Sequence, residues 1–221
     1  MTLDPPAVKA LYERRIDGYA SLIRFFRTRQ GMQALLRRSG LLQPRMKVLD
    51  AGCGFGMATG ALLDALAAQG MAGTHVDAFD LTPAMLARFR DELDARGDAQ
   101  VVLREANVLD DAALPPDWAG YDLVISMSML EYLPRDRLPR ALATLRARMA
   151  SQGRMLVMIT RKSLESRVLI EWGWHAERYS AGELREAFAQ ASFGQLRFVR
   201  FPLRYGWLNR ANYVVVAQAG A

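Results

Sequence analysis

A chain of 221 residues, 51% of them hydrophobic, is long enough for one sizeable domain with a packed core. Its single cysteine, Cys53, excludes an internal disulfide and a cysteine-rich metal centre, and His75 and His175 are too few for a multi-histidine site, so no metal is expected. The net charge of +6 comes from arginines scattered over every predicted helix, with lysine only at Lys9, Lys47 and Lys162, a pattern that reads as solvated helix faces, so a nucleic-acid partner is not expected.

The N-terminus, MTLDPPAVKALYERR, lacks the basic-then-apolar order of a secretory signal, and no run of eighteen uncharged apolar residues occurs. A cytoplasmic location without a membrane span is the expectation. Two helical patterns, over residues 7–19 and 22–38, form an N-terminal helical cap assigned to residues 1–45, with residues 46–221 as the main domain. Over residues 1–47, Lys9, Arg14, Arg15, Arg24, Arg27, Arg29, Arg37, Arg38, Arg45 and Lys47 stand against Asp4, Glu13 and Asp17, a surplus that favours an anionic partner.

At Met46 the period changes. MKVLD reads as a buried strand opening into the glycine turn AGCGFG. A helix over residues 58–69 then places Leu62, Leu63 and Leu66 on one face and stops at Gly70. The alternation continues with the strand HVDAFD, the helix PAMLARFRDELDARG, and the strands QVVLRE and YDLVISM. A helix over residues 135–150 carries Leu138, Leu142, Leu145 and Met149; a turn at Ser151-Gln152-Gly153 leads into the strand GRMLVMIT. Ser180 with Glu183 is a capping box for a helix reaching about Ala191, and QLRFVRF and NYVVVAQ form a closing antiparallel hairpin around a loop at residues 203–210. Strands alternating with helices specify an α/β architecture with a mostly parallel sheet.

The glycine turn decides between ligands. A dinucleotide fold uses G-x-G-x-x-G after its first strand. This chain has Asp50-Ala51-Gly52-Cys53-Gly54-Phe55-Gly56, or D-x-G-x-G-x-G, with an acid directly before the loop. The spacing argues against a nicotinamide dehydrogenase, and the carboxylate suits a cationic ligand better than a pyrophosphate.

Residues Val48 to Gly56 resemble the first motif of the class I S-adenosylmethionine (SAM) methyltransferases, VLDxGCGxG. The resemblance, which spans about Met46 to Ala219, implies a Rossmann-like, doubly wound, seven-stranded sheet and SAM as cofactor. It implies that the backbone at Ala51 and Gly52 lies against the methionine part of the cofactor, that Gly54 and Gly56 complete the loop, and that Asp50 orders it. FDLTPAML resembles the second motif, DLSPxML, so Asp80 would accept from both ribose hydroxyls while Leu81 and Met85 line the adenine side. Where the family has G-D-A, this chain has Ala106-Asn107-Val108; the Asn107 side-chain oxygen is the candidate acceptor for the adenine amine, with Asp110 or Glu105 as alternatives. YDLVISMSMLEYLP resembles the fourth motif, placing Ser126, Met127 and Leu130 against the cofactor and Glu131 and Tyr132 at the mouth. RYSAGELREAFAQASFG resembles the later pattern YSxxELxxLLxxAGF, whereas the cap and residues 161–178 match nothing.

Methyl transfer from a sulfonium requires alignment of the acceptor and no enzyme nucleophile, so Cys53 reads as a small packing residue. An O or N acceptor still has a proton to lose. Candidate catalytic residues are His175, flanked by Trp172, Trp174 and Tyr179, together with Glu131 and Tyr132; His175 as a surface residue is the competing reading. Tyr19 on the cap could close over the cofactor or simply face the core. A small-molecule acceptor, anionic and carrier-bound acceptors included, is the first expectation. The alternatives are methylation of RNA or protein, and a SAM-using enzyme of the same fold that cyclises or eliminates. The oligomeric state is not encoded in these motifs.

Overall fold

Short apolar runs alternating with amphipathic helices give a sheet covered on both faces. The computed structural model of the protein describes residues 27–98, 100–110, 112–171 and 176–219. Tyr19 and His175 lie outside the described residues, as does most of the expected cap. In chain order the elements are α1 Thr28–Ser39, β1 Lys47–Ala51, α2 Met57–Ala67, β2 His75–Asp80, α3 Pro83–Arg96, β3 Val101–Glu105 and β4 Tyr121–Met127. They continue with α4 Leu138–Ala147, β5 Met149–Thr160, α5 Leu164–Glu171, α6 Ala181–Gln190, β6 Phe193–Val199, α7 Leu208–Ala211 and β7 Asn212–Ala219.

The strands form one seven-stranded sheet in the order β3-β2-β1-β4-β5-β7-β6. Strands β1 to β5 pair in parallel, and β7 inserts antiparallel between β5 and β6. This is the Rossmann-like, mostly parallel seven-stranded sheet with a closing antiparallel hairpin expected from the sequence. Alternate side chains feed two layers. Val48, Ile125, Met158 and Val214 pack with Met32 and Leu36 of α1 and Leu62 and Leu66 of α2. Leu49, Val124, Val157 and Val215 pack on the other face with Leu142 and Leu145 of α4 and Leu184 and Phe188 of α6. Among the described residues, no helix is long and apolar enough to cross a membrane.

Three boundaries differ from the sequence reading, each for a local reason. The helix expected from residue 22 begins at Thr28, because Arg27 stands in the left-handed region at φ 52. Helix α4 starts at Leu138 behind a 3-10 turn at Arg135–Arg137, as Pro139 in its first turn favours. It also ends early: Met149 belongs to β5, where it pairs with the fully buried Tyr121, and the expected turn at residues 151–153 is an irregularity in that ladder, with Tyr121 opposite Met149 and Leu123 opposite Arg154. The capping box is present as expected, Ser180 and Glu183 answering each other's backbone N–H.

Candidate functional site

From β1 the chain moves outward through β2 and β3, then returns to place β4 on the opposite side of β1. A crevice opens at such a reversal, at the carboxyl ends of the strands. The turn after β1 is bent into it: Gly52 and Gly56 take φ values of +73 and +87, which side-chain-bearing residues rarely adopt. A Cβ at Gly52 would run into the Met129 side chain, and one at Gly56 into the ring of Phe89. The N–H groups of Gly52 and Cys53 both donate to the Phe79 carbonyl at 2.9 Å, which fastens the turn to the end of β2.

Two carboxylates flank this turn. Asp50 lies on the α2 face of β1 and is 1% exposed; its Oδ2 accepts from the Thr59 hydroxyl at 2.6 Å and the Thr59 N–H at 3.1 Å, while Oδ1 has no partner. Burial raises its carboxyl to about 6, the Thr59 hydrogen bonds holding it from going higher. Asp80 ends β2. Its Oδ2 accepts from the Gly54 N–H and its Oδ1 from the Thr82 N–H, both at 2.9 Å, so the two oxygens are pinned in opposite directions. Burial pushes its pKa up, and those backbone donors work against the rise.

Between the turn and the loop that follows β4 is a cavity of about 330 Å³, within the range of small-molecule sites. Gly52, Gly54, Asp80 and Thr82 form one side, and Ala106 to Leu109 another. Residues 127–129 and 132–134 close it, together with Arg137, whose guanidinium pairs with Asp136 at 3.4 Å. Much of the remaining wall is thioether, from Met57, Met85, Met127 and Met129.

Residues 49–155, which include the turn, Asp80 and the β4 loop, match the protein family described as "Methyltransferase domain". Over that stretch, just under half of the chain, the sequence is similar to a methyltransferase domain. Its fold is similar to that of magnesium protoporphyrin IX methyltransferase from Synechocystis PCC 6803 in the crystal structure with bound S-adenosylhomocysteine (SAH). The two chains are 18% identical with a TM-score of 0.73 over 98% of this chain and 100% of that one. The pyocyanin biosynthetic protein PhzM is 20% identical with a TM-score of 0.65, over 86% of this chain and 54% of that one. A Haemonchus contortus N-methyltransferase in complex with phosphomonomethylethanolamine and SAH is 14% identical with a TM-score of 0.64, over 86% and 52% of the two chains. No curated protein matches the sequence.

Of the residues singled out in the sequence, Gly52, Gly54, Asp80, Leu81, Met85, Asn107, Val108, Met127 and Tyr132 all line the cavity. Asp50, Ala51, Gly56, Ser126 and Leu130 lie outside its lining: Ala51, Ser126 and Leu130 are buried beneath it, Gly56 packs on Phe89, and Asp50 ties the turn to α2. Asn107 is the one of the three adenine-side candidates that reaches the cavity, but its Oδ1 already accepts from the Leu109 N–H at 3.0 Å. Asp110 likewise turns back on its own backbone, at Ala112. Glu131 is 2% exposed and stands behind the wall rather than at the mouth. The sequence reading passed over Ser128, Met129 and Arg137. Ser128 holds φ +54 without being glycine, a conformation its residue type does not announce.

Proposed function

We propose that this cavity binds SAM and that the enzyme transfers its methyl group to an oxygen or nitrogen of a small-molecule acceptor by in-line displacement. The observation that carries the reading is Asp80, whose carboxylate is held at the cavity wall by one backbone donor on each oxygen, leaving each oxygen a lone pair with which to accept from a ligand hydroxyl. Gly54 lines the same wall with no atom within 4 Å of the place a Cβ would take, so an amino-acid-sized group can approach the backbone there.

In this assignment Asp80 receives the ribose hydroxyls, Gly52 and Gly54 lie against the methionine end, and Leu81, Met85 and Val108 enclose the adenine. Asp50 does not touch the ligand; it fixes the turn to the start of α2 through Thr59. When bound, SAM supplies an activated methyl carbon, and the protein's share is to align the acceptor and exclude water, an effect worth up to about 7–11 kcal/mol. Tyr132 is the described side chain best placed to meet the acceptor, since it lines the cavity next to Ser128 and Met129. His175 is the candidate for removing the acceptor's proton, and Tyr19, on a cap comprising residues 1–45, is the candidate for covering the cofactor.

An anionic acceptor is favoured by the excess of Lys and Arg over residues 1–47 and by Arg137 in the cavity lining. The ligand of the Haemonchus contortus structure, phosphomonomethylethanolamine, supports the same class. Calorimetric titration with SAH, with NAD as control ligand, tests the cofactor assignment: micromolar binding of SAH alone is expected, and NAD binding or no binding overturns it. A screen of carboxylated and phosphorylated acceptors, read as SAH formation, then tests the acceptor class.

A further inference from the structure

Glu131 lies on the 3-10 turn Leu130–Tyr132, one residue beyond Met129 and directly before Tyr132; Ser128, Met129 and Tyr132 line the cavity. The left-handed Ser128 folds this stretch back so that Met129 lies over Gly52. The Glu131 carboxyl is thus held just behind the wall that meets the glycine turn. Its Oε1 accepts from the Thr160 hydroxyl at 3.0 Å, and its Oε2 is fully buried with no hydrogen-bond partner. A buried carboxylate with an open oxygen is costly unless a positive charge comes near.

Among the described residues, two cations of this region are engaged with other carboxylates. Tyr179, buried beside Glu131 with its hydroxyl also unpartnered, is covered by the Arg135 guanidinium at 4.6 Å. Arg135 is held by Glu177 at 2.6 Å and Glu183 at 2.8 Å, and Lys162 by Glu183 at 2.6 Å. Thr160 and Ser128 offer hydroxyls only. Burial accordingly drives the Glu131 carboxyl up to about 7, the hydrogen bonds of its own backbone, Thr160 and Ser128 limiting the rise.

We propose that Glu131 is a specificity residue that favours the cationic cofactor SAM over its neutral product SAH, acting as an unpaired buried carboxylate behind the Ser128–Met129 wall. The proposal rests on the assignment of the methionine end of the cofactor to Gly52. SAM and SAH share the carboxylate, the amine, the ribose and the adenine, so the sulfonium charge is what a nearby carboxylate can distinguish. With that charge present the ionised form of Glu131 is favoured and a proton leaves to solvent; with the charge gone Glu131 regains a proton, which loosens the hold on the product.

The test is calorimetric titration of the full chain with SAM and with SAH at pH 7, each in two buffers of different ionisation enthalpy, for the wild type and E131Q. A group half ionised at pH 7 whose pKa falls by about one unit becomes about nine-tenths ionised, so SAM should release about 0.4 proton more than SAH. The same coupling favours SAM about fivefold at pH 7, about tenfold above pH 8, and hardly at all below about pH 5. E131Q should abolish the extra proton release and this pH-dependent preference. Equal proton release for the two ligands in the wild type overturns the proposal, as does a difference that persists in E131Q. If neither ligand binds, the cavity assignment itself falls and the proposal with it.

Discussion

Replacing Asp80 by alanine tests the cofactor site at its best-defined point. The carboxylate has two jobs: it accepts from the Gly54 and Thr82 N–H groups, and it presents its remaining lone pairs to the cavity. A hydrogen bond to a charged group contributes about 1.5–3 kcal/mol, and the ribose diol would make two. Water entering the vacated space restores part of this, so the net loss should be about 1.5–3 kcal/mol, or a 10- to 100-fold rise in the SAH dissociation constant. Asp80→Asn refines the test. The amide has one acceptor oxygen where two backbone donors converge on separate oxygens, so its NH2 must face one of them, and affinity should fall at least tenfold in this variant too. The assay is calorimetry with SAH, alongside thermal melting to show that each variant is folded. Wild-type affinity in two well-folded variants would refute the ribose assignment and move the ligand elsewhere in the crevice.

Gly52→Val should abolish SAH binding, because the new side chain meets Met129 and must adopt φ +73; a variant that binds normally in the same titration contradicts the placement. Gly56→Ala should leave residual SAH binding but destabilise the fold by about 2–5 kcal/mol, from backbone strain and overlap with Phe89, lowering the melting temperature by roughly 5–15 °C. Asp50→Asn concerns pH. A carboxyl raised from 3.8 to about 6 keeps its proton longer in the folded chain, so its contribution is most favourable below about pH 4 and declines until about pH 6, by at most about 3 kcal/mol. The asparagine variant should lose that slope in a series of melting curves across pH 4–7, and an identical pH profile would show that Asp50 ionises normally.

Elements set by backbone periodicity were legible in the sequence. The parallel strands, the glycine turn, the Gly70 stop and the Ser180–Glu183 cap each rest on residue types whose local physics has one dominant outcome. Boundaries that depend on tertiary partners were not. Met149 fits a helical face as well as a strand, and the buried Tyr121, at the start of β4, decides for the strand. The same division runs through the candidate site. The glycines of the turn were readable from backbone geometry and Asp80 from the motif it resembles, while Asn107 was readable as a cavity residue but not as one whose oxygen its own loop would occupy. Glu131 looked like a rim residue because nothing in SMSMLEYLP signals that Ser128 turns left-handed and sends the next acidic side chain inward to Thr160.

The two sides of the cavity are also built from different materials, and this bears on what each can select. The wall around Asp80 and the turn is held by directed hydrogen bonds from Gly52, Cys53, Gly54 and Thr82, all near 2.9 Å, and has little freedom to adjust. Elsewhere the lining is rich in thioethers, with Met127 and Met129 flanking Ser128, and Met57 at the start of α2. Methionine side chains repack at low cost, so this wall can follow ligands of different outline where the polar wall cannot. On the proposed assignment the fixed wall would grip the cofactor, while the deformable one, although Met129 also reaches over Gly52, would border the space left for the acceptor. Substitutions at Met127 or Met129 should therefore shift the range of acceptors accepted far more than the affinity for SAH, as a paired acceptor screen and SAH titration would read out. Equal losses in both would mean that the methionines are part of the cofactor's own enclosure.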